Sequence, residues 1–290
     1  MRELLRAMRP KQWVKNAVIF SAIVFDAKLD DVTYLAYTAA GLVIFCLVSG
    51  TVYLINDLVD VDKDRQHPKK RHRPLASGRL SARVAQGAIF VVLLICLPSS
   101  FLLDPLFGGL VSAYLALQVA YSLWLKNVVI VDVLVLAAGF VLRVASGAAL
   151  VDAERFSPWL YVCMVLLALF LGFSKRRGEL VLLQENANNY RAILQEYSLP
   201  LLDEMISVVT ATTVLAYSLY TFDPGNPHLP DNNAMMLTIP FVLYGIFRYL
   251  YLIHQKGETA PPDEVLLKDR PLQVTVGLWG LTALALLYLA

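Results

Sequence analysis

The chain is predicted to be an all-α, polytopic membrane protein, on three observations. Fifty-eight per cent of its 290 residues are apolar and only 17% are charged, with a mean hydropathy of +0.59, well above a soluble domain of this size. Apolar runs of roughly 17 to 24 residues, each able to cross about 30 Å of hydrocarbon as a helix, recur along its whole length. The remaining charge is concentrated in a few polar connections. A net charge of +2 argues against nucleic acid as a partner. Cys46, Cys96 and Cys163 each sit inside an apolar run, as buried small hydrophobes do, so neither disulfides nor a thiolate metal cluster is expected.

Nine runs serve as spans: 12–30, 34–54, 82–102, 106–125, 128–151, 158–174, 204–222, 235–254 and 271–290. The first is the weakest, interrupted by Lys15 and Asn16. The basic N-terminus lacks a small-residue cleavage site and is not read as a cleaved signal peptide. Connections at 103–105, 126–127 and 152–157 are short, whereas 55–81, 175–203 and 255–270 are long, polar and on one side. That side, with the N-terminal segment through Lys15, holds 20 Lys and Arg; the opposite loops hold Lys28 and Arg155. The positive-inside rule then places the N-terminus and the long loops in the cytoplasm of a plasma-membrane protein forming one integral-membrane domain, 1–290. Pro98, Gly139, Gly147 and Pro240 interrupt spans where kinks or close helix approach are expected.

The second span emerges into Asn56-Asp57-Leu58-Val59-Asp60-Val61-Asp62-Lys63-Asp64. On a helix, Asp57, Asp60 and Asp64 fall within about 60° of one another, and Asn56 widens the arc to about 100°. Asp62 points away. Three carboxylates on one face repel unless a cation neutralises them, and hard oxygen donors with room for water and phosphate suit Mg2+. The expectation is a metal-bridged diphosphate site with Asn56, Asp57, Asp60 and Asp64 as ligands, set against a plain solvated helix end.

The segment NDLVDVDKDRQHPKKRHRPLASGRLS, through Arg65, His67, Lys69, Lys70, Arg71, Arg73, Pro74, Leu75, Ser77 and Gly78, resembles the first aspartate-rich motif of the UbiA superfamily of intramembrane prenyltransferases. The resemblance extends over essentially the whole chain. It implies a helical bundle around a central cavity, open laterally to a lipid chain and capped by cytoplasmic loops. A second DxxxD motif is expected after the sixth span, but the sequence there reads Ser174-Lys175-Arg176-Arg177-Gly178-Glu179. Arg suits bidentate phosphate recognition, so this departure suggests a different phosphorylated donor. Together with RPKQWVKN (9–16), YSLWLKNVVIVDV (121–133) and Tyr190-Arg191-Ala192-Ile193-Leu194-Gln195-Glu196-Tyr197, the segment resembles the decaprenyl-phosphate phosphoribosyltransferase branch.

That resemblance implies transfer of phosphoribose from 5-phosphoribosyl 1-diphosphate to a polyprenyl phosphate, with release of pyrophosphate, feeding arabinan assembly in the cell wall. Asp57, Asp60 and Asp64 are then the expected catalytic residues. Lys15, Asn16, Asn56, Arg71, Lys126, Asp132, Lys175, Arg176, Arg177 and Glu179 are the expected substrate-binding residues. A lipid phosphate is already an anionic nucleophile, so no general base is assigned. Asp132 and Arg143 lie about 20° apart around one helix and roughly 16 Å apart along it, and membrane charges favour a cavity or a partner over lipid. His254 reads as structural, and Trp13, Trp124, Trp159 and Trp279 as interface anchors. Two alternatives remain: prenyl transfer to an aromatic acceptor, and a transporter or lipid-binding protein. Partners beyond substrates are membrane lipids, and self-association into a homo-oligomer is left open.

Overall fold

The computed structural model describes residues 2–66, 70–152, 157–185, 192–226, 229–230, 232–260 and 262–289. His67, Lys69, Arg155, Tyr190 and Arg191 from the sequence reading lie outside the described residues. Among the described residues all regular structure is helical. The α-helices are α1 (Arg2–Ala7), α2 (Ser21–Phe25), α3 (Val32–Val59), α4 (Val61–Gln66), α5 (Ala82–Leu103), α6 (Pro105–Leu123), α7 (Val131–Leu150), α8 (Pro158–Glu185), α9 (Leu199–Tyr220), α10 (Ile239–Gln255), α11 (Pro262–Lys268) and α12 (Arg270–Tyr288). Helix starts follow local capping chemistry. Asp31, Ser81, Asp104, Ser198 and Asp269 accept from backbone N–H groups opening α3, α5, α6, α9 and α12. The caps satisfy backbone donors that the helix itself leaves unpaired in its first turn.

Eight helical segments among the described residues are long and apolar enough to cross a membrane, one fewer than the nine expected runs. The difference is residues 12–30, which fold as an eleven-residue 3-10 helix, Pro10–Phe20, followed by α2. Eleven residues at about 2.0 Å and five at about 1.5 Å still give about 30 Å, a hydrocarbon thickness. The tighter winding accompanies close packing: a Cβ on Gly147 of α7 would fall on the Ile19 carbonyl oxygen. Two expected loops also begin as helix. α3 runs on to Val59, and α8 carries Lys175, Arg176 and Arg177 inside a helix reaching Glu185 rather than in a polar connection starting at 175. Amide hydrogen bonds along these helices are satisfied internally, so leaving the membrane does not force the helix to stop.

The chain divides into two compact units. Unit 1 comprises Met1–Val24, Lys28–Val135 and Leu142–Ala153. Its core gathers Ile19, Phe45, Val48, Phe107, Val111, Tyr114 and Leu150, with the Phe45 ring 5.9 Å from Phe107 and 5.3 Å from Tyr114. Unit 2 comprises Phe25–Ala27, Leu136–Val141 and Glu154–Ala290. Its core holds Leu160, Cys163, Ala216, Tyr217, Tyr220, Met235 and Ala283. The three cysteines are free thiols, Cys96 and Cys163 buried and Cys46 half-buried.

Candidate active site

In unit 1 the acidic motif stands where α3 gives way to α4. The ladder persists through the junction: Asp60 N–H donates to the Asn56 carbonyl (3.0 Å) and Asp64 N–H to the Asp60 carbonyl (2.8 Å). Asp60 itself leaves α-helical geometry, with φ −97° and ψ 9°. The helical spacing therefore holds in spite of the break. Asp57 and Asp64 are buried, whereas the Asp62 side chain is 83% exposed and pairs with Arg65. Asn56 is half-buried beside them.

Three cations meet the three carboxylates. Arg9 donates to Asp57 Oδ1 at 2.5 Å. Arg73 Nη1 bridges Asp57 Oδ1 (3.2 Å) and Asp64 Oδ2 (2.6 Å). Lys126, also buried, donates to both Asp60 oxygens at 2.8 Å. Arg9 and Arg73 were absent from the expected site residues; the signal was Arg9's place at the head of RPKQWVKN and Arg73's in the RPL-SG tail. Local folding aims both. Arg9 takes a left-handed backbone (φ 53°) between buried Met8 and the 3-10 helix and lies 4.7 Å from the Tyr53 ring. A non-glycine residue there costs of order 1 kcal/mol, which the ion pair and packing of Met8 offset. Arg73 is set by a turn in which Ser77 N–H and Oγ donate to its carbonyl, closed by Gly78 at φ 76° and pinned by buried Leu75 and Leu80. Arg71, an expected ligand, is exposed, next to His72.

The donors match a divalent cation by type: three carboxylates and an amide oxygen, all hard ligands. Asp57 Oδ2 is buried with no hydrogen-bond partner, an oxygen left over for such an ion. Among the described residues no three His, Cys, Asp or Glu side chains converge closely enough to hold a metal; Arg73 bridges Asp57 and Asp64, and Lys126 holds Asp60. Ligation would thus exchange protein cations for the ion.

Deeper in unit 1, Arg143 donates to Asn16 Oδ1 (2.8 Å) and Tyr114 OH (2.7 Å) and stacks 4.6 Å from the Tyr114 ring. Buried Asn16 in turn donates to Ser49 Oγ (3.0 Å) and Cys46 Sγ (3.4 Å). Arg143 thus turns inward to partners, as the cost of a membrane charge demands. Lys15 is half-buried on the 3-10 helix, and Asp132 is fully buried in the first turn of α7.

In unit 2 the cations of α8 separate by face. Lys175 is exposed. Arg176 is 1% exposed and paired with Glu179 at 2.5 Å. Arg177 ties three helices together, donating to Asp203 of α9 (2.6 Å) and to the Ile253 carbonyl of α10 (3.3 Å), with His254 Nδ1 at 3.3 Å. His254 is exposed beside Arg177. Gly178 is required by contact, since a Cβ there would lie 2.5 Å from the Thr259 carbonyl oxygen. Arg248 holds Asp269 at 2.8 Å, and this hydrogen bonding keeps the Asp269 carboxyl below the usual carboxylate range, against the opposing effect of burial.

The architecture defines a class: a multi-pass helical membrane protein with a charge-balanced aspartate cluster at the end of a long apolar helix. The chain belongs to the UbiA prenyltransferase family, whose model matches residues 17–265, and is a UbiA-type transferase. It is 31% identical over 283 residues to a decaprenyl-phosphate phosphoribosyltransferase of Corynebacterium glutamicum, covering 95% of this chain and 84% of that protein. A protein of the same name from Mycolicibacterium smegmatis is 29% identical over 294 residues, covering 98% and 92%. A solved UbiA homolog from Archaeoglobus fulgidus, bound to GPP and Mg2+, superposes with a TM-score of 0.74 at 18% identity, covering 98% of this chain and 99% of that one.

Proposed function

We propose that the chain transfers 5-phosphoribose from 5-phosphoribosyl 1-diphosphate to a polyprenyl phosphate, releasing pyrophosphate, in a Mg2+-dependent reaction on the cytoplasmic side of the plasma membrane. The likeness over nearly the whole chain to two decaprenyl-phosphate phosphoribosyltransferases carries this reading. By analogy with those proteins the product supplies arabinan precursors for the cell wall. The departure from a second DxxxD, at Lys175 to Glu179, supports a sugar-phosphate donor over a prenyl diphosphate.

Asp57, Asp60 and Asp64, with Asn56, would hold Mg2+, which supplies electrostatic stabilisation of a departing pyrophosphate. Arg9, Arg73 and Lys126 keep the carboxylates together beforehand and are placed to turn toward phosphate oxygens when donor binds, since guanidinium and ammonium donors pair as readily with phosphate as with carboxylate. Arg143, Asn16 and Tyr114 fix the 3-10 helix that carries Lys15. No side chain need remove a proton, because the acceptor phosphate is already ionised near neutral pH. Purified protein with Mg2+, polyprenyl phosphate and ribose-labelled 5-phosphoribosyl diphosphate tests the reading, run beside prenyl diphosphate with 4-hydroxybenzoate. Label entering the lipid phase is the expected result; prenylation of the aromatic acceptor alone would overturn it.

A further inference from the structure

In unit 1 the side chains of α5 divide between two surroundings. Ala85, Cys96 and Ser100 are buried, and Ala85, with Ala88 and Ile89, packs in the small core that also holds Leu4, Ala7 and Met8. The outer face carries an open groove of about 490 Å3, lined by this one helix from Gln86 to Pro98. Its lining repeats at the i, i+3, i+4 spacing of a helix and extends about 18 Å along the axis. Apart from Gln86 the lining is apolar, with Phe90 and Leu94 exposed. Pro98, at the far end, has no N–H to offer the Leu94 carbonyl, a loss that bends helices.

At the near end the chemistry turns positive. Arg83 precedes Gln86 by about one turn and lies about 20° from Phe90 around the axis. It is exposed, and its side chain has no ion pair or hydrogen bond among the described residues. Arg79, two residues before the Ser81 cap, lies 3.7 Å from Glu3 of α1, whose other oxygen is 3.9 Å from Arg6. Arg2 and Arg6 are exposed on α1 beside exposed Leu5. Cations mixed with exposed apolar side chains are the composition of a surface that meets anionic lipid. Arg79 also donates to Ser77 Oγ (2.9 Å) and to the His72 carbonyl, so it braces the turn that aims Arg73 at Asp57 and Asp64.

We infer that α5 carries a site for an anionic phospholipid of the surrounding bilayer: its phosphate binds Arg83 and Arg79 at the head of the helix, and one acyl chain lies in the groove down to Pro98. The groove's length of about 18 Å is close to one leaflet's share of a hydrocarbon core about 30 Å thick. Head and chain therefore fit a lipid of one leaflet. This lipid is neither donor nor acceptor, so the inference stands apart from the transfer reading. Through Arg79 its headgroup steadies the turn that carries Arg73.

Fluorescence quenching in nanodiscs tests the site. With the native thiols buried or half-buried, a bimane group is attached at Val91→Cys, beside the groove but outside its lining, and in a second protein at Leu281→Cys, exposed on α12. Each full-length protein enters phosphatidylcholine nanodiscs containing brominated phosphatidylglycerol or, separately, brominated phosphatidylcholine. Position 91 is expected to be quenched by the anionic lipid at a fraction about tenfold lower than the zwitterionic lipid requires, and position 281 equally by both. Arg83→Gln is expected to melt as the wild type does and to cut the preference at position 91 about fivefold, the worth of one basic residue near an anionic surface. Equal quenching of position 91 by the two lipids would overturn the inference and leave ordinary lipid contact. Quenching by neither would overturn it in favour of a second copy covering α5, and a preference that survives Arg83→Gln would remove the headgroup from this helix.

Discussion

Asp60 and Lys126 show how much of the candidate site is a property of single side chains. Lys126 is buried and has both Asp60 oxygens at 2.8 Å, so Asp60→Asn is expected to lose transfer by on the order of 100-fold or more and also to strand a buried ammonium. Adding Lys126→Met should restore thermal stability without restoring turnover; recovery of turnover would show that Asp60 serves only as a counter-ion. Arg73 gives a second test. Arg73→Gln leaves Asp57 and Asp64 facing each other without their bridge, so Mg2+ should raise the melting temperature of this variant more than that of the wild type. Equal shifts would remove the metal from these carboxylates. The carboxylates themselves were legible in the sequence, because 3.6-residue spacing is local. Arg9 and Arg73 were read as motif residues and not as site residues, since their reach depends on a left-handed residue and a turn that no periodicity announces.

At the level of elements, close approach decides more than hydrophobicity. Gly147 lets the 3-10 helix Pro10–Phe20 lie against α7, so Gly147→Ala is expected to cost about 1 to 3 kcal/mol, typical of forced overpacking. Gly87, where a Cβ meets nothing within 4 Å, should accept Ala without loss; a urea or thermal unfolding series on both variants checks the contrast. The start of α12 gives a pH test. The Asp269 carboxyl is held below its ordinary value of about 3.9, so the pair with Arg248 contributes fully above that range and is lost as the pH falls below it. Asp269→Asn keeps a capping oxygen for Leu272 N–H but has no charge to lose. Its stability should therefore fall less than the wild type's between pH 7 and pH 3. Parallel falls would assign the acid sensitivity elsewhere.

Across the whole molecule, the positive-inside count makes a prediction about sidedness. With the native cysteines buried or half-buried, an impermeant thiol reagent should label single cysteines placed at 71 or 264 from the cytoplasmic side only, and at 104 or 233 from the opposite side only; the reverse pattern would invert the proposed topology. By itself the sequence determined the all-helical membrane class, the places where helices cross, and the carboxylates at the end of α3, because hydropathy and helical period are written in neighbouring residues. It did not determine that residues 10–20 wind as a 3-10 helix, that α8 carries its cations beyond Ser174 as one continuous helix, or that Arg9, Arg73 and Lys126 close on the aspartates. Those outcomes belong to the tertiary structure, since each depends on groups far apart in the chain: the Ile19 carbonyl on Gly147, the Thr259 carbonyl on Gly178, and an ammonium 66 residues from its carboxylate.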